Sequence, residues 1–149
     1  MPGYHDTRSI EIEATPADCF SVLTDYERMT DWQSRVCECR VLERDEAGRG
    51  SLVEYAIDAK LRVVRYRLRH TYDEPTAIGS EYLEGDFRQF AGDYRFAAKG
   101  ELTGVTFGLR IDPGFRVPGP VVRMLGQAVM GKSLEDLRAR VEEVGRGSQ

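Results

Sequence analysis

Val64-Arg65-Tyr66-Arg67-Leu68-Arg69-His70 sets apolar or aromatic residues against arginines at a strict period of two, the most regular alternation in the chain. Such a period describes a half-buried β-strand, one face turned to a core and the other to solvent. The same pattern extends on both sides. Upstream, Cys37, Cys39 and Val41 alternate with Glu38, Arg40 and Glu43; Ala47-Gly48-Arg49-Gly50 makes a turn, and Val53, Tyr55 and Ile57 then alternate with Glu54 and Asp58. Two runs joined by a glycine-containing turn predict a hairpin, with Cys37 and Cys39 facing inward. Beyond the break at Glu74-Pro75, a strand is expected over 77–83 and a turn at Glu84-Gly85-Asp86. A further strand over 88–98 puts Phe90, Tyr94 and Phe96 on one face, and a last strand carries Val105, Phe107, Leu109 and Ile111. About six strands fill the region from Ser34 to Asp112, and their short connections predict an antiparallel, sequentially ordered sheet.

Helical signals lie only at the flanks of this region. Ile10 and Ile12 alternate with Ser9, Glu11 and Glu13, which predicts a first strand over 7–13. Thr15-Pro16-Ala17-Asp18 reads as a helix start, with Thr15 as N-cap, Pro16 at the first helical position and an acidic residue near the positive end of the dipole. A second short helix is expected from Asp25, carrying Tyr26, Met29 and Trp32 on one face. The prolines and glycines of Asp112 to Pro120 exclude regular structure there. Met130, Leu134, Leu137, Val141 and Val144 then recur at steps of three or four, the apolar stripe of a long final helix that Gly145-Arg146-Gly147 ends. One long helix and a two-faced sheet leave one economical arrangement, the sheet curling round the helix with its apolar face inward. Residues 1–149 read as a single α+β domain, with an ordered core over about 5–145 and a polar tail over 146–149.

Composition narrows the function classes. A chain of 149 residues, 41% hydrophobic and 31% charged, has the balance of an autonomous globular domain that needs no disulfide or structural metal. The formal net charge of -4 argues against a protein built to hold nucleic-acid phosphates, and no specific nucleic-acid partner is expected. No apolar run reaches the length of a membrane span, and the start lacks signal-peptide regions, so a cytoplasmic location is expected. The three cysteines include no CxxC, and neither His5 nor His70 stands in a metal-binding pattern; no metal site and no cofactor are expected. Paired carboxylates, phosphate loops and nucleophile motifs are absent as patterns.

Two segments, Leu23-Thr24-Asp25-Tyr26-Glu27-Arg28-Met29-Thr30-Asp31-Trp32 and Gly85-Asp86-Phe87-Arg88-Gln89-Phe90-Ala91-Gly92-Asp93-Tyr94-Arg95-Phe96, together with Thr103-Gly104-Val105 and Pro118, resemble the polyketide cyclase/dehydrase family. This is a branch of the START-like or SRPBCC superfamily, related to coenzyme Q-binding proteins and ribosome-association toxins, and the similarity covers nearly the whole chain. Tyr94 stands where many relatives have Trp, and Leu102 where a glycine commonly precedes the Thr. The resemblance implies a helix-grip fold with about seven strands, and a hydrophobic cavity between sheet and long helix that holds a lipid, isoprenoid quinone or polyketide.

By strand parity and helix stripe, the residues expected to line that cavity are Tyr55, Tyr66, Leu68, His70, Phe90 and Tyr94 from one part of the sheet. Phe107, Leu109, Gln127, Met130 and Leu134 complete the set, although large aromatics at alternating positions also simply fill cores. Tyr55, Tyr66, His70 and Gln127 would orient a polar head. Tyr66 and His70 are the candidates for proton transfer if the chain is an aromatase/cyclase; the plainer reading is a satisfied core histidine and packed tyrosines. Arg65, Arg67 and Arg69 form either a solvated face or a contact for an acidic partner, as a ribosome-association-toxin-like module would need. Phe115 and Val117, with Gly126 and Gly131 inside the helix, suggest a gate over the cavity mouth, or else a rigid connection with close helix packing. The residues assign no oligomeric state.

Overall fold

The computed structural model describes residues 3–59, 62–114 and 117–147. Seven strands, β1 (Tyr4–Ile12), β2 (Val36–Arg44), β3 (Gly50–Asp58), β4 (Val63–Asp73), β5 (Ala77–Gly85), β6 (Gln89–Lys99) and β7 (Leu102–Asp112), form one antiparallel sheet in the order β1-β7-β6-β5-β4-β3-β2. β2 to β7 run as a plain meander. β1 departs from sequential order by pairing with β7 over its whole length, from Tyr4↔Ile111 to Ile12↔Thr103. It therefore begins at Tyr4, three residues before the alternation becomes visible, because β7 offers partners that far.

Between β1 and β2 lie α1 (Pro16–Thr24) and a 3₁₀ turn, Tyr26–Asp31. Thr15 caps α1, its hydroxyl accepting from the Asp18 amide at 3.2 Å, which satisfies one of the helix's orphan donors. The final helix, α2 (Gly119–Gly147), begins inside the segment expected to be irregular: Gly119 and Pro120 already occupy its first turn, where a proline lacks no needed donor. It also continues through Gly145 to Gly147, past the expected end of the ordered core. The sheet wraps α2, which rests chiefly on β1 and β7, and the whole is a helix-grip α+β fold. Among the described residues no helix is long and apolar enough to cross a membrane.

Three side-chain placements differ from the sequence reading. Cys37 is exposed, because the β2–β3 register advances two residues between Val36 and Glu38 while its partner strand advances one. The bulge turns Cys37 outward and restores parity at Cys39, which pairs with Tyr55. Val144 is 45% exposed, since the last turns of α2 run beyond the core. Gln127 is also exposed: it follows Leu125 by two residues, roughly 200° of helix rotation away from the buried line of Val122 and Leu125.

β5 and β6 meet only at Ala77↔Arg95 and Ile78↔Tyr94. Beyond that point the two strands part, and side chains replace the missing ladder. Ser80 Oγ donates to the Gly92 carbonyl and accepts from the Gly92 amide, both at 3.0 Å, and the Tyr82 hydroxyl does the same for Phe87. Gly85 ends β5 at φ 146°, where a Cβ would fall 2.5 Å from the Tyr66 backbone. Only glycine lets the chain cross there against β4.

Candidate functional site

The alternation of β4 turns Tyr66, Leu68 and His70 inward, and cross-strand pairing sets Tyr55 of β3 directly beside Tyr66. The Tyr55 and Tyr66 rings stack with centroids 5.3 Å apart, and Tyr66 stacks in turn on Phe90 at 4.4 Å. On the neighbouring strands Tyr94 lies flat on Phe107, 4.3 Å away. Stacked plates of this kind cannot interdigitate as branched aliphatic side chains do, and between them and α2 they leave a cavity of about 90 Å³. Tyr55, Tyr66, Leu68, His70, Phe90, Tyr94 and Phe107 all line it. Leu109, Met130 and Leu134 are buried elsewhere in the core, and Gln127 is outside. From α2 the wall is made instead by Leu125, Val129 and Ser133.

The polar groups of the cavity fall into two sets. In the first, every proton is accounted for. His70 Nδ1 donates to the Gly79 carbonyl at 3.2 Å, which leaves Nε2 to accept from the Tyr55 hydroxyl at 2.6 Å. Burial lowers the His70 pKa to about 4, so the imidazole is neutral at pH 7. Tyr26 stacks on the same imidazole, and its hydroxyl bonds that of Tyr72, which donates to the Gly50 carbonyl. Burial also raises the pKa values of Tyr26, Tyr55 and Tyr66 well above the ordinary phenol value.

The second set is unpaired. Tyr66, 4% exposed, Gln33, 8% exposed, and the half-buried Tyr94 line the cavity, yet neither the two tyrosine hydroxyls nor the Gln33 amide group makes a hydrogen bond among the described residues. No fully enclosed polar side-chain atom there lacks a partner, so these three groups keep access to open space. Arg35 joins them as the only charged side chain lining the cavity among the described residues; that side chain is about a quarter exposed, and its guanidinium lies 3.8 Å from the carboxylate of the half-exposed Asp58. Ser133 spends its proton on the Val129 carbonyl at 2.6 Å.

Gln33, Arg35 and Ser133 escape the sequence reading. The first two stand in Asp31-Trp32-Gln33-Ser34-Arg35, a polar link with neither helical nor strand period, so no parity rule assigns them a side. Ser133 interrupts an apolar stripe with a residue that normally counts as surface.

Of the gate residues, Phe115 lies outside the described residues, and Val117 is buried. Gly126 is explained by packing: a Cβ there would fall 2.4 Å from the Tyr4 ring, so the glycine is what lets α2 approach β1. Gly131 meets nothing within 4 Å. On the outer face of β4, Arg65 bonds Glu38 at 2.7 Å, and Arg67 bonds Glu54 at 2.9 Å with Glu84 at 3.3 Å. Cross-strand carboxylates thus neutralise much of that row.

Residues of both motif segments line this cavity between sheet and terminal helix, Tyr26 and Met29 from the first and Phe90 and Tyr94 from the second. The profile of the family described as polyketide cyclase / dehydrase and lipid transport matches residues 12–138, most of the chain. The chain belongs to this family. Among solved structures, this polyketide cyclase/dehydrase-family chain is similar to a START superfamily protein from Mycobacterium smegmatis, with 22% identity and a TM-score of 0.83 over 94% of this chain and 98% of that one. It is also similar to the Zhui aromatase/cyclase of Streptomyces sp. R1128, with 19% identity and a TM-score of 0.78 over 99% and 96% of the two chains. A Thermus thermophilus protein shares 23% identity with a TM-score of 0.74, over 94% and 95%. At these identities the likeness is one of fold. No curated protein matches the chain in sequence.

Proposed function

We propose that this family member binds a hydrophobic small molecule, a lipid, isoprenoid quinone or polyketide, between sheet and α2, acting as a carrier or binding protein. The observation that carries the reading is the aromatic-walled cavity with unpaired polar groups at Gln33 and Tyr66. Close-packed cores hold few voids, and a void lined by polar groups that have no protein partner is suited to a ligand with a polar head. Binding draws its energy from apolar burial and its orientation from the few polar groups.

The resting volume of about 90 Å³ is well below the roughly 300–1,000 Å³ of ordinary small-molecule pockets, so a ligand of this class enters only if the walls part. Two features supply the freedom. β5 and β6 are held over much of their length by side chains alone, and Gly131 gives α2 a flexible point with open space beside it. Opening would shift the first half of α2, with Val117 moving at its base. Hydrogen exchange with and without ligand tests the gate: faster exchange over Val117 to Gly131 in the empty protein is expected, and uniform protection in both states removes it.

Catalysis by His70 is the weaker reading. An imidazole whose conjugate acid has a pKa of about 4 is a weak base near neutrality, and both ring nitrogens are already engaged. The ion-paired arginine row likewise favours a solvated face over a docking surface for an acidic partner. Native mass spectrometry of gently purified protein, followed by extraction and identification of the bound molecule, tests the proposal. A stoichiometric quinone, lipid or polyketide is expected. A protein that is empty and takes up no hydrophobic probe would mean that the aromatics only fill the core.

A further inference from the structure

The polar link between the 3₁₀ turn and β2 brings two unlike groups, Gln33 and Arg35, to the lining of the cavity. Gln33 is over nine-tenths buried, lines the cavity and has a side-chain amide without a partner among the described residues. Arg35 lines the same space while about a quarter of its side chain stays exposed, so this residue reaches both the cavity and solvent. Its carboxylate neighbour, Asp58, does not line the cavity, is half exposed and stands 3.8 Å away, at the outer limit of an ion pair. Ser133 completes the rim from α2, with its own proton already committed to the backbone.

We infer that Gln33 and Arg35 form an acid-head subsite, and that the ligand of this cavity is an apolar body carrying a single carboxylate at the end nearest solvent. This rests on the cavity-binding reading above and specifies the class of ligand. Three physical arguments support it. Among the described residues no Asp or Glu lines the cavity, and its tyrosines and His70 are neutral at pH 7, so Arg35 is the one charged side chain of the wall; Asp58, 3.8 Å from it, and Asp136, which accepts from Ser34, are not part of the lining. The planar fork of an arginine matches a carboxylate's two oxygens, and the spare N–H groups of Gln33 supply a further donor to an oxygen. Partial exposure matters too, because a carboxylate held at the rim keeps some hydration and escapes the full penalty of burial, while the attached body displaces water from the aromatic walls. An uncharged head can accept a hydrogen bond from Arg35 but gains no attraction between opposite charges.

The test is isothermal titration calorimetry of the whole protein with 2-naphthoate, 2-naphthamide and naphthalene, three probes with one apolar body and different heads. Naphthoate is expected to bind about tenfold more tightly than naphthamide, as a charge-assisted contact at a partly exposed site should give. Arg35→Gln should bring the two affinities together with little change for naphthamide, and Arg35→Lys should retain part of the preference. Gln33→Leu should weaken both headed probes by a few-fold without affecting naphthalene. If the unmodified protein binds naphthoate and naphthamide equally, the acid-head subsite is wrong and cavity binding stands; this comparison needs no variant to fold. If none of the three probes binds, cavity binding itself fails and the subsite falls with it.

Discussion

The two sides of this core are made by the same sheet and helix, and they pack differently. Where α2 lies on β1 and β7, Ile12, Val105, Leu137 and Val141 are at most 2% exposed and interlock as branched aliphatic side chains do. Towards β3, β4 and β6, Tyr55, Tyr66, Phe90 and Tyr94 stack as plates and leave a cavity with unpaired polar groups. The difference teaches that one side of this fold is committed to stability while the other keeps surface available for a ligand. Inner-face side chains separate the two roles; strand order does not.

Truncating one residue on each side gives the most direct way to break the comparison. Leu137→Ala, in the filled side, should lose about 2–5 kcal/mol on chemical denaturation. Leu68→Ala, at the cavity wall, should fall at the low end of that range, since one side of Leu68 already faces open space. Equal losses would show that the cavity wall is packed as tightly as the rest.

The polar side of the cavity can be divided in the same manner. Tyr55→Phe strips the donor from His70 Nε2 and should cost about 1–3 kcal/mol, the penalty for an orphaned buried acceptor. Tyr66→Phe removes a hydroxyl with no partner among the described residues and should change stability by less than about 0.5 kcal/mol in the same denaturation series. A large loss for Tyr66→Phe would mean that its hydroxyl is structural and not held for a ligand.

The two helix glycines should respond with opposite signs. Gly126→Ala drives a methyl into the Tyr4 ring and should destabilise by about 1–3 kcal/mol, on the filled side. Gly131→Ala, with nothing nearby, should stabilise by up to about 1 kcal/mol through helix propensity, and should slow ligand exchange if that point is the hinge. Thermal melts and ligand off-rates check both.

Titration probes the boundary between the sides. His70 takes up a proton at about 4 when folded and at its ordinary 6.5 when unfolded, so between these values the unfolded chain binds more protons. Stability should be full above pH 6.5 and fall as pH drops from 6.5 towards 4, by at most about 1.4 kcal/mol per pH unit. His70→Asn should flatten that part of a Tm against pH curve; an unchanged slope would assign it to other groups.

From the sequence alone came the strand period of Val64 to His70, the capped start of α1, the count of strands and the long terminal helix, because each follows from local periodicity and cap chemistry. The same parity put seven aromatic, aliphatic or histidine side chains at the cavity wall. Tertiary structure decided what no local period encodes. One extra residue in β2 turned Cys37 out, the rotation of α2 placed Gln127 in solvent and Ser133 inside, and β5 pairs with β6 at two positions only. Gln33 and Arg35 come from a link with no period at all, and they meet the cavity only because β2, β3 and α2 converge around it. A period assigns a side chain to a face; whether that face closes on itself or stays open depends on the shapes that meet across it.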